Sequence, residues 1–332
     1  MGIRRLGLGL MLSGLGLASG CPSDGAADTS TGTGTAGDST GSSSEGPVGV
    51  TGSGSTAVAD SSGGAASSSS DDGGPVQPPG EFDVLTYNVA ALPQGLSSSN
   101  PEVNIPLISP LLNDFPMVLV QEDFWYHAQL AAEVTLPHQS MPWSEMPTLE
   151  DIGDGLNRFG EHPFADHERV AWYACNGTID CASDCLATKG WSFARHTLAE
   201  GVEIDVYNLH MEAGGCPEDL EIRLNSAQDL VDAIDQRSAG RALIVAGDFN
   251  LRATDPEDVE PLAIITDGAG LTDACDAVGC PDQLIDHVMV RSSDDLDVEV
   301  LQWWVPEQFV TRGGEPLSDH LPVAATLRYT PR

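Results

Sequence analysis

The stretch LSDHLPVAA, residues 317–325, sets an aspartate and a histidine side by side just before an apolar run. The run reads as a buried strand, so Asp319 and His320 stand at a strand mouth. Two ionisable groups are costly there unless water, a metal or a substrate meets them. An isolated Asp-His pair is ordinarily a polar turn that caps a strand. What decides the matter is whether other strands end the same way.

They do. Asn88 closes VLTYN (84–88), Glu122 follows MVLVQ (117–121), and His210 follows DVYNL (205–209). Asp248 and Asn250 close LIVAGDFN (243–250), and Asp286 and His287 interrupt LIDHVMV (284–290). One strand that ends in Asn or Glu carries no information, but several ending in carboxylates, amides and imidazoles imply a shared rim. Further β-rich runs are RVAWYAC, GWSFARHTL and DVEVLQWW. In the last, Trp303 and Trp304 should point to opposite faces. Leu220, Leu224, Ala227, Leu230, Val231 and Ile234 repeat at helical spacing between Pro217 and Gly240. A second helix is expected from near Asp255 towards Ile265. Many strands with a few helices predict a layered α/β or α+β domain, with sheets packed face to face and helices outside.

In this order the motifs resemble the endonuclease/exonuclease/phosphatase superfamily, which includes deoxyribonuclease I, inositol polyphosphate 5-phosphatases and neutral sphingomyelinases. GDFN (247–250) and SDHLPV (318–323) carry the resemblance furthest, supported by TYN, QE, NLHMEA and IDH. GDGLNRFGEHPF (153–164) and DCLATKGWSFAR (184–195) also resemble family segments, and the likeness covers essentially all of 81–332. It implies a four-layer sandwich of two mixed sheets flanked by helices, and metal-dependent hydrolysis of a phosphoester. Magnesium, or Mn2+, Ca2+ or Co2+ in its place, prefers oxygen ligands. Glu122, Asn88 and Asp319 are therefore the candidate metal ligands. His320 suits the general base, oriented by Asp286, while His210, Asp248 and Asn250 would hold the phosphoryl group. Lys189 is a candidate phosphate contact, or else a solvated strand start. His287 stands where relatives often carry an aromatic residue and is assigned to packing. His127, His138, His162, His167 and His196 read as surface or loop histidines.

The N-terminus belongs to a different regime. Residues 1–20 carry two arginines, a short apolar stretch and small residues before Cys21, the order of a secretory signal. Cys21 after Ala18-Ser19-Gly20 resembles a bacterial lipobox, with Cys21 acylated. Residues 21–80 then form a lipidated cysteine and a Ser/Gly/Thr-rich tether that cannot bury enough apolar surface to fold. As a flexible coil its roughly 60 residues span about 40–45 Å. An exported lipoprotein of the bacterial cell envelope, or an extracellular protein, is expected, acting as a monomer. The six cysteines beyond Cys21 allow up to three disulfides, with Cys275 and Cys280 placed to close a short loop. No Cys-x-x-Cys accompanies them, so a zinc site is not expected.

Charge narrows the substrate. Seven of the 50 acids lie in 22–80 and two of the 14 bases in the first 20 residues, which leaves 81–332 with a net charge of −31. Such a surface disfavours nucleic acid and favours neutral, zwitterionic or cationic partners, among which a zwitterionic phospholipid head group fits. NLHMEA resembles the His-Leu-Gln-Ala motif of bacterial sphingomyelinases, although Glu212 replaces the glutamine. A sphingomyelinase or phospholipase C-like enzyme, a secreted nuclease, an inositol-phosphate phosphatase and an inactive surface binding module all remain open.

Overall fold

The computed structural model describes residues 77–177, 184–281 and 284–332. The signal, Cys21 and nearly all of the tether lie outside the described residues. Two six-stranded sheets organise the rest. The first is built from β1 (Gly80–Asn88), β2 (Met117–Gln121), β3 (His138–Gln139), β4 (Asn157–Gly160), β11 (Leu296–Trp304) and β12 (Val323–Pro331). The second contains β5 (Phe164–Ala171), β6 (Gly190–Ala199), β7 (Val202–His210), β8 (Leu243–Asp248), β9 (Thr272–Asp273) and β10 (Asp286–Arg291). Their orders are β11-β12-β1-β2-β4-β3 and β5-β6-β7-β8-β10-β9. Each is mixed: β1 pairs parallel with β2, β7 pairs parallel with β8, and the other pairings are antiparallel.

Alternation along the strands makes the layers. Val84, Val323, Ala325 and Leu327 of the first sheet pack with Ile204, Val206, Ile244, Ala246 and Val288 of the second. The residues between them, such as Leu85, Tyr87, Leu243 and Val245, turn outward beneath helices. The helices are α1 (Pro101–Leu111), α2 (His127–Leu130), α3 (Pro217–Arg237), α4 (Val259–Ala269) and α5 (Ala274–Val278). Residues of α1 and α2 cover the first sheet, and residues of α3 and α4 the second. The expected sandwich is the observed one. Trp303 and Trp304 divide as expected, one towards the inter-sheet core and the other towards the outer layer of the first sheet.

Three sequence expectations need adjustment. The helix expected near Asp255 begins at Val259, because Asp258 turns its carboxylate back to the Arg252 N–H (2.9 Å) and the Arg223 guanidinium (3.5 Å). That contact makes 252–258 a turn. RVAWYAC is strand only to Ala171, after which the Trp172 indole N–H donates to the His210 carbonyl (2.7 Å). His196, expected at the surface, is buried on β6, with its Nε2 3.4 Å from Arg158 Nη1. Disulfides join Cys175 to Cys185 and Cys275 to Cys280, and Cys216 is also disulfide-bonded.

Candidate active site

The parallel pairs decide where the polar strand ends meet. β1 and β2 finish at one rim, where Asn88 pairs with Gln121, and β7 and β8 finish with His210 opposite Asp248. Antiparallel β10 begins there, with Asp286 opposite Asp248, and His320 lies three residues before β12. Just beneath the rim a buried polar bridge ties the sheets together. Gln121 Nε2 donates to Thr86 Oγ1 (3.0 Å) and Asn208 Oδ1 (2.7 Å), and Asn208 Nδ2 donates to the Val120 carbonyl (2.9 Å). Sequence reasoning missed Asn208, although an amide inside an otherwise apolar strand was the available signal.

The backbone at this rim is unusual. Ala90, Glu122 and Asn250 have φ of 49°, 55° and 49°, three of the four positive-φ non-glycine residues among those described. Such conformations cost about 1–3 kcal/mol each and persist where surrounding contacts impose them. Gly155 has φ +62°, and a Cβ there would lie 2.9 Å from Glu122 Cα. A Cβ on Gly247 would lie 2.1 Å from the Leu209 carbonyl oxygen, which accounts for the glycine of GDFN.

Asn88 is the clamp of the cluster. Its Nδ2 donates to Glu122 Oε1 (3.1 Å) and Asp248 Oδ2 (3.0 Å), while its Oδ1 accepts the Ala90 N–H (3.0 Å). Here the amide therefore presents its donor to the carboxylates. His210 Nε2 lies 3.3 Å from Asp248 Oδ2 and 4.0 Å from Glu122 Oε1. Asn250 donates its backbone N–H to Asp248 Oδ1 (3.0 Å) and its Nδ2 to the Met211 carbonyl (2.9 Å). His320 pairs through Nδ1 with Asp286 Oδ2 (2.9 Å), and its Nε2 is 3.6 Å from Asp248 Oδ2.

Electrostatics follow from burial and from the neighbouring acids. Burial pushes the Glu122 carboxyl up, against the Asn88 hydrogen bond. Burial, with the charges of Lys189 and His320, holds His210 well below its usual range and therefore neutral. Burial and the Asp248 carboxylate push Asp286 up to about 6. For His320 burial opposes the charged ring, but Asp248 and Asp286 outweigh it and push the ring up to about 10.

Two predicted residues sit apart from this core. Asp319 is exposed, and its carboxylate accepts from Ser98 Oγ and, at 3.3 Å, from Ser318 Oγ. Lys189 reaches the cavity, where it pairs with Asp184 and donates to the Met211 carbonyl (3.1 Å). Asp184 was not anticipated. His287 is buried as expected, but its two ring nitrogens face Asp273 Oδ2 (2.7 Å) and the Leu251 carbonyl (2.8 Å). Both faces are acceptors, so the ring carries two protons and pins the chain just past Asn250.

Ligand atoms of Asp248, Asp286 and His320 all lie within 4.8 Å of one another. Asp286 Oδ1 is buried with no hydrogen-bond partner among the described residues, and Glu122 adds a carboxylate beside Asp248. A cluster of hard oxygens with one unspent acceptor fits a divalent cation. The cavity has a volume of about 580 Å3 and includes Glu122, His210, Asp248, Asn250 and His320 in its lining. Its outer wall is apolar, with Phe124 and Ile152 inside and Leu96, Leu149 and Leu186 exposed at the mouth.

No family model matches the chain. It is 35% identical over 274 residues to a sphingomyelinase of Mycobacterium bovis, an alignment covering 75% of this chain and 53% of that protein. The chain thus spans about half the length of that relative. Among solved structures it resembles sphingomyelinase C from Streptomyces griseocarneus (TM-score 0.54, 19% identity, 74% of this chain and 99% of that one). It also resembles a Staphylococcus aureus beta toxin mutant with bound magnesium ions (TM-score 0.53, 15% identity, 74% and 99%). An endonuclease/exonuclease/phosphatase family protein from Bacteroides thetaiotaomicron matches with TM-score 0.55 and 18% identity over 76% and 96% of the two chains. The chain has the fold these structures share.

Proposed function

We propose that this chain is a metal-dependent phosphodiesterase of the sphingomyelinase type, which hydrolyses a phospholipid head group by in-line attack of water. The observation that carries the reading is one cavity with an acid–imidazole floor and an apolar wall. Such a site suits a single phosphodiester whose other end is hydrocarbon. Among the described residues Lys189 is the only Lys or Arg in the cavity lining, and Asp184 already partners it, which is a poor match for a polyanion. The relation to a mycobacterial sphingomyelinase points the same way.

Within this reading Glu122 and its neighbouring oxygens would hold magnesium or a similar cation. That cation would draw charge from the phosphoryl oxygens and offset the field that keeps His320 protonated. Asn250 and neutral His210 would orient the phosphoryl group through their N–H donors. Asp286 fixes the His320 ring through Nδ1 and leaves Nε2 to take the proton of the attacking water. Positioning and electrostatics carry most of the rate, since phosphoryl transfer leaves little covalent work for the protein. Export, acylation of Cys21 and the 21–80 tether would place this domain at a membrane surface.

The test is hydrolysis by the full chain of sphingomyelin vesicles and of plasmid DNA, with magnesium and with EDTA. Phosphocholine release that EDTA stops and magnesium restores, with DNA intact, is the expected result. Nicked DNA with untouched vesicles, or hydrolysis that survives the chelator, would overturn it.

A further inference from the structure

Glu212 lies two residues beyond His210 and is fully buried, yet it is not part of the catalytic cluster. Its Oε1 accepts the Asn176 N–H, and its Oε2 has no hydrogen-bond partner among the described residues. Asn176 leads directly to the cavity wall. Its carbonyl accepts the Asp184 N–H (3.2 Å), and Asp184 in turn holds Lys189 and accepts the Ala213 N–H (2.7 Å). Asp184, Leu186, Ala187 and Lys189 all line the cavity. The Cys175–Cys185 disulfide joins the residue before Asn176 to the residue after Asp184, so both wall contacts lie beside one covalent tie.

We propose that Glu212 is a proton-dependent anchor of this wall, a positioning residue that seats Lys189 and its neighbours for an anionic phosphodiester when it carries a proton and loosens them when ionised. The inference rests on the phosphodiesterase reading for its effect on substrate, but not for its effect on stability. The charged groups around Glu212 are Asp184 and Lys189 on the wall, Asp219 and Arg223 on α3, and neutral His210 on β7. Arg223 donates through Nη1 to the Glu212 and Gly214 carbonyls (3.3 and 2.8 Å) and through Nη2 to Asp258 (3.5 Å), and none of these bonds reaches the Glu212 carboxylate. Lys189 is taken by Asp184. Among the described residues Glu212 has no ion pair, so once ionised it would share a dry site with two other acids. Burial first and Asp184 second push its carboxyl up to about 7.

The sign follows from linkage. The folded state holds this proton more tightly than the unfolded chain. The penalty of ionising Glu212 therefore appears as pH rises from the ordinary carboxyl range to about 7, and is constant above that. Glu212→Gln keeps the acceptor for Asn176 and the volume but never ionises. Its melting temperature should match the wild type near pH 4.5 and exceed it at pH 8. With a water-soluble chromogenic phosphocholine ester, wild-type KM should rise above pH 7 by up to about tenfold per pH unit, the limit for one ionisation. The E212Q KM should stay flat over that window with kcat changed little. Glu212→Ala, which loses the acceptor, should raise KM at every pH. An E212Q enzyme with the wild-type KM profile and the same melting difference at both pH values would overturn the proposal. If no phosphodiester is hydrolysed by any variant, the function reading fails, and the melting comparison alone decides on Glu212.

Discussion

The floor of the cavity and its wall are built on different principles. The floor is made of strand ends from both sheets. Its side chains are fixed by ladder registers and by the Gln121–Asn208 bridge beneath them. The wall comes from loops, among them residues 184–189 and the stretch around Leu149, held by a disulfide, one buried carboxyl and scattered contacts. Chemistry that tolerates little displacement belongs on the stiffer part, where a shift of about 1 Å can cost two orders of magnitude in rate. Recognition can sit on the looser part, since loops carry specificity over a rigid scaffold. The backbone conformations tell the same story. Strain is concentrated at Ala90, Glu122 and Asn250, which flank the floor.

This contrast predicts that floor substitutions change rate or folding while wall substitutions change access. The largest effect should come from His320→Ala, with kcat lowered about 10²–10⁴-fold, the range for a general acid–base group. Steady-state assays on a soluble phosphodiester would show it, and a wild-type kcat would remove His320 from the chemistry. His287→Gln should act on folding. Breaking a buried pair of this kind costs about 3–5 kcal/mol, read by urea unfolding. Asp273 holds His287 above its ordinary 6.5 against burial. This contribution is therefore full below 6.5 and is lost as pH rises through the folded value. The gap between wild type and variant should be widest at pH 5.5 and narrower at pH 9; a gap independent of pH would mean the ring is not charged. The smallest effect belongs to the wall. Leu149→Asp should lower hydrolysis of vesicle-borne lipid about tenfold, roughly the loss of part of one apolar side chain's burial. It should leave the soluble substrate untouched. Equal losses on both substrates would erase the distinction between floor and wall.

Much of the floor was legible in the linear chain because its signal is local. An apolar run with period-two alternation that stops at Asn88, His210 or Asp248 announces a strand end, whatever it later pairs with. The two packed sheets followed from the number of such runs. Helix α1 was harder to see, because Pro106 and Pro110 interrupt it, and it is secured by Ile105 and Ile108 packing on the first sheet. The partnership of Lys189 with Asp184 was invisible, since nothing in the spacing of the two says that the intervening turn folds back. His196 misled for a related reason. Arg158, its neighbour, comes from the other sheet.

The chain thus carries in its order of residues the layer architecture, the strand ends and the kinds of side chain that meet there. Those features depend on periodicity and composition within a few residues. The meeting of Asp248, Asp286 and His320, the donor face that Asn88 turns to Glu122, and the burial of Glu212 beside Asp184 came from packing. Each depends on contacts between segments distant in sequence, where register, desolvation and neighbouring charge are set by the whole sandwich rather than by any one strand.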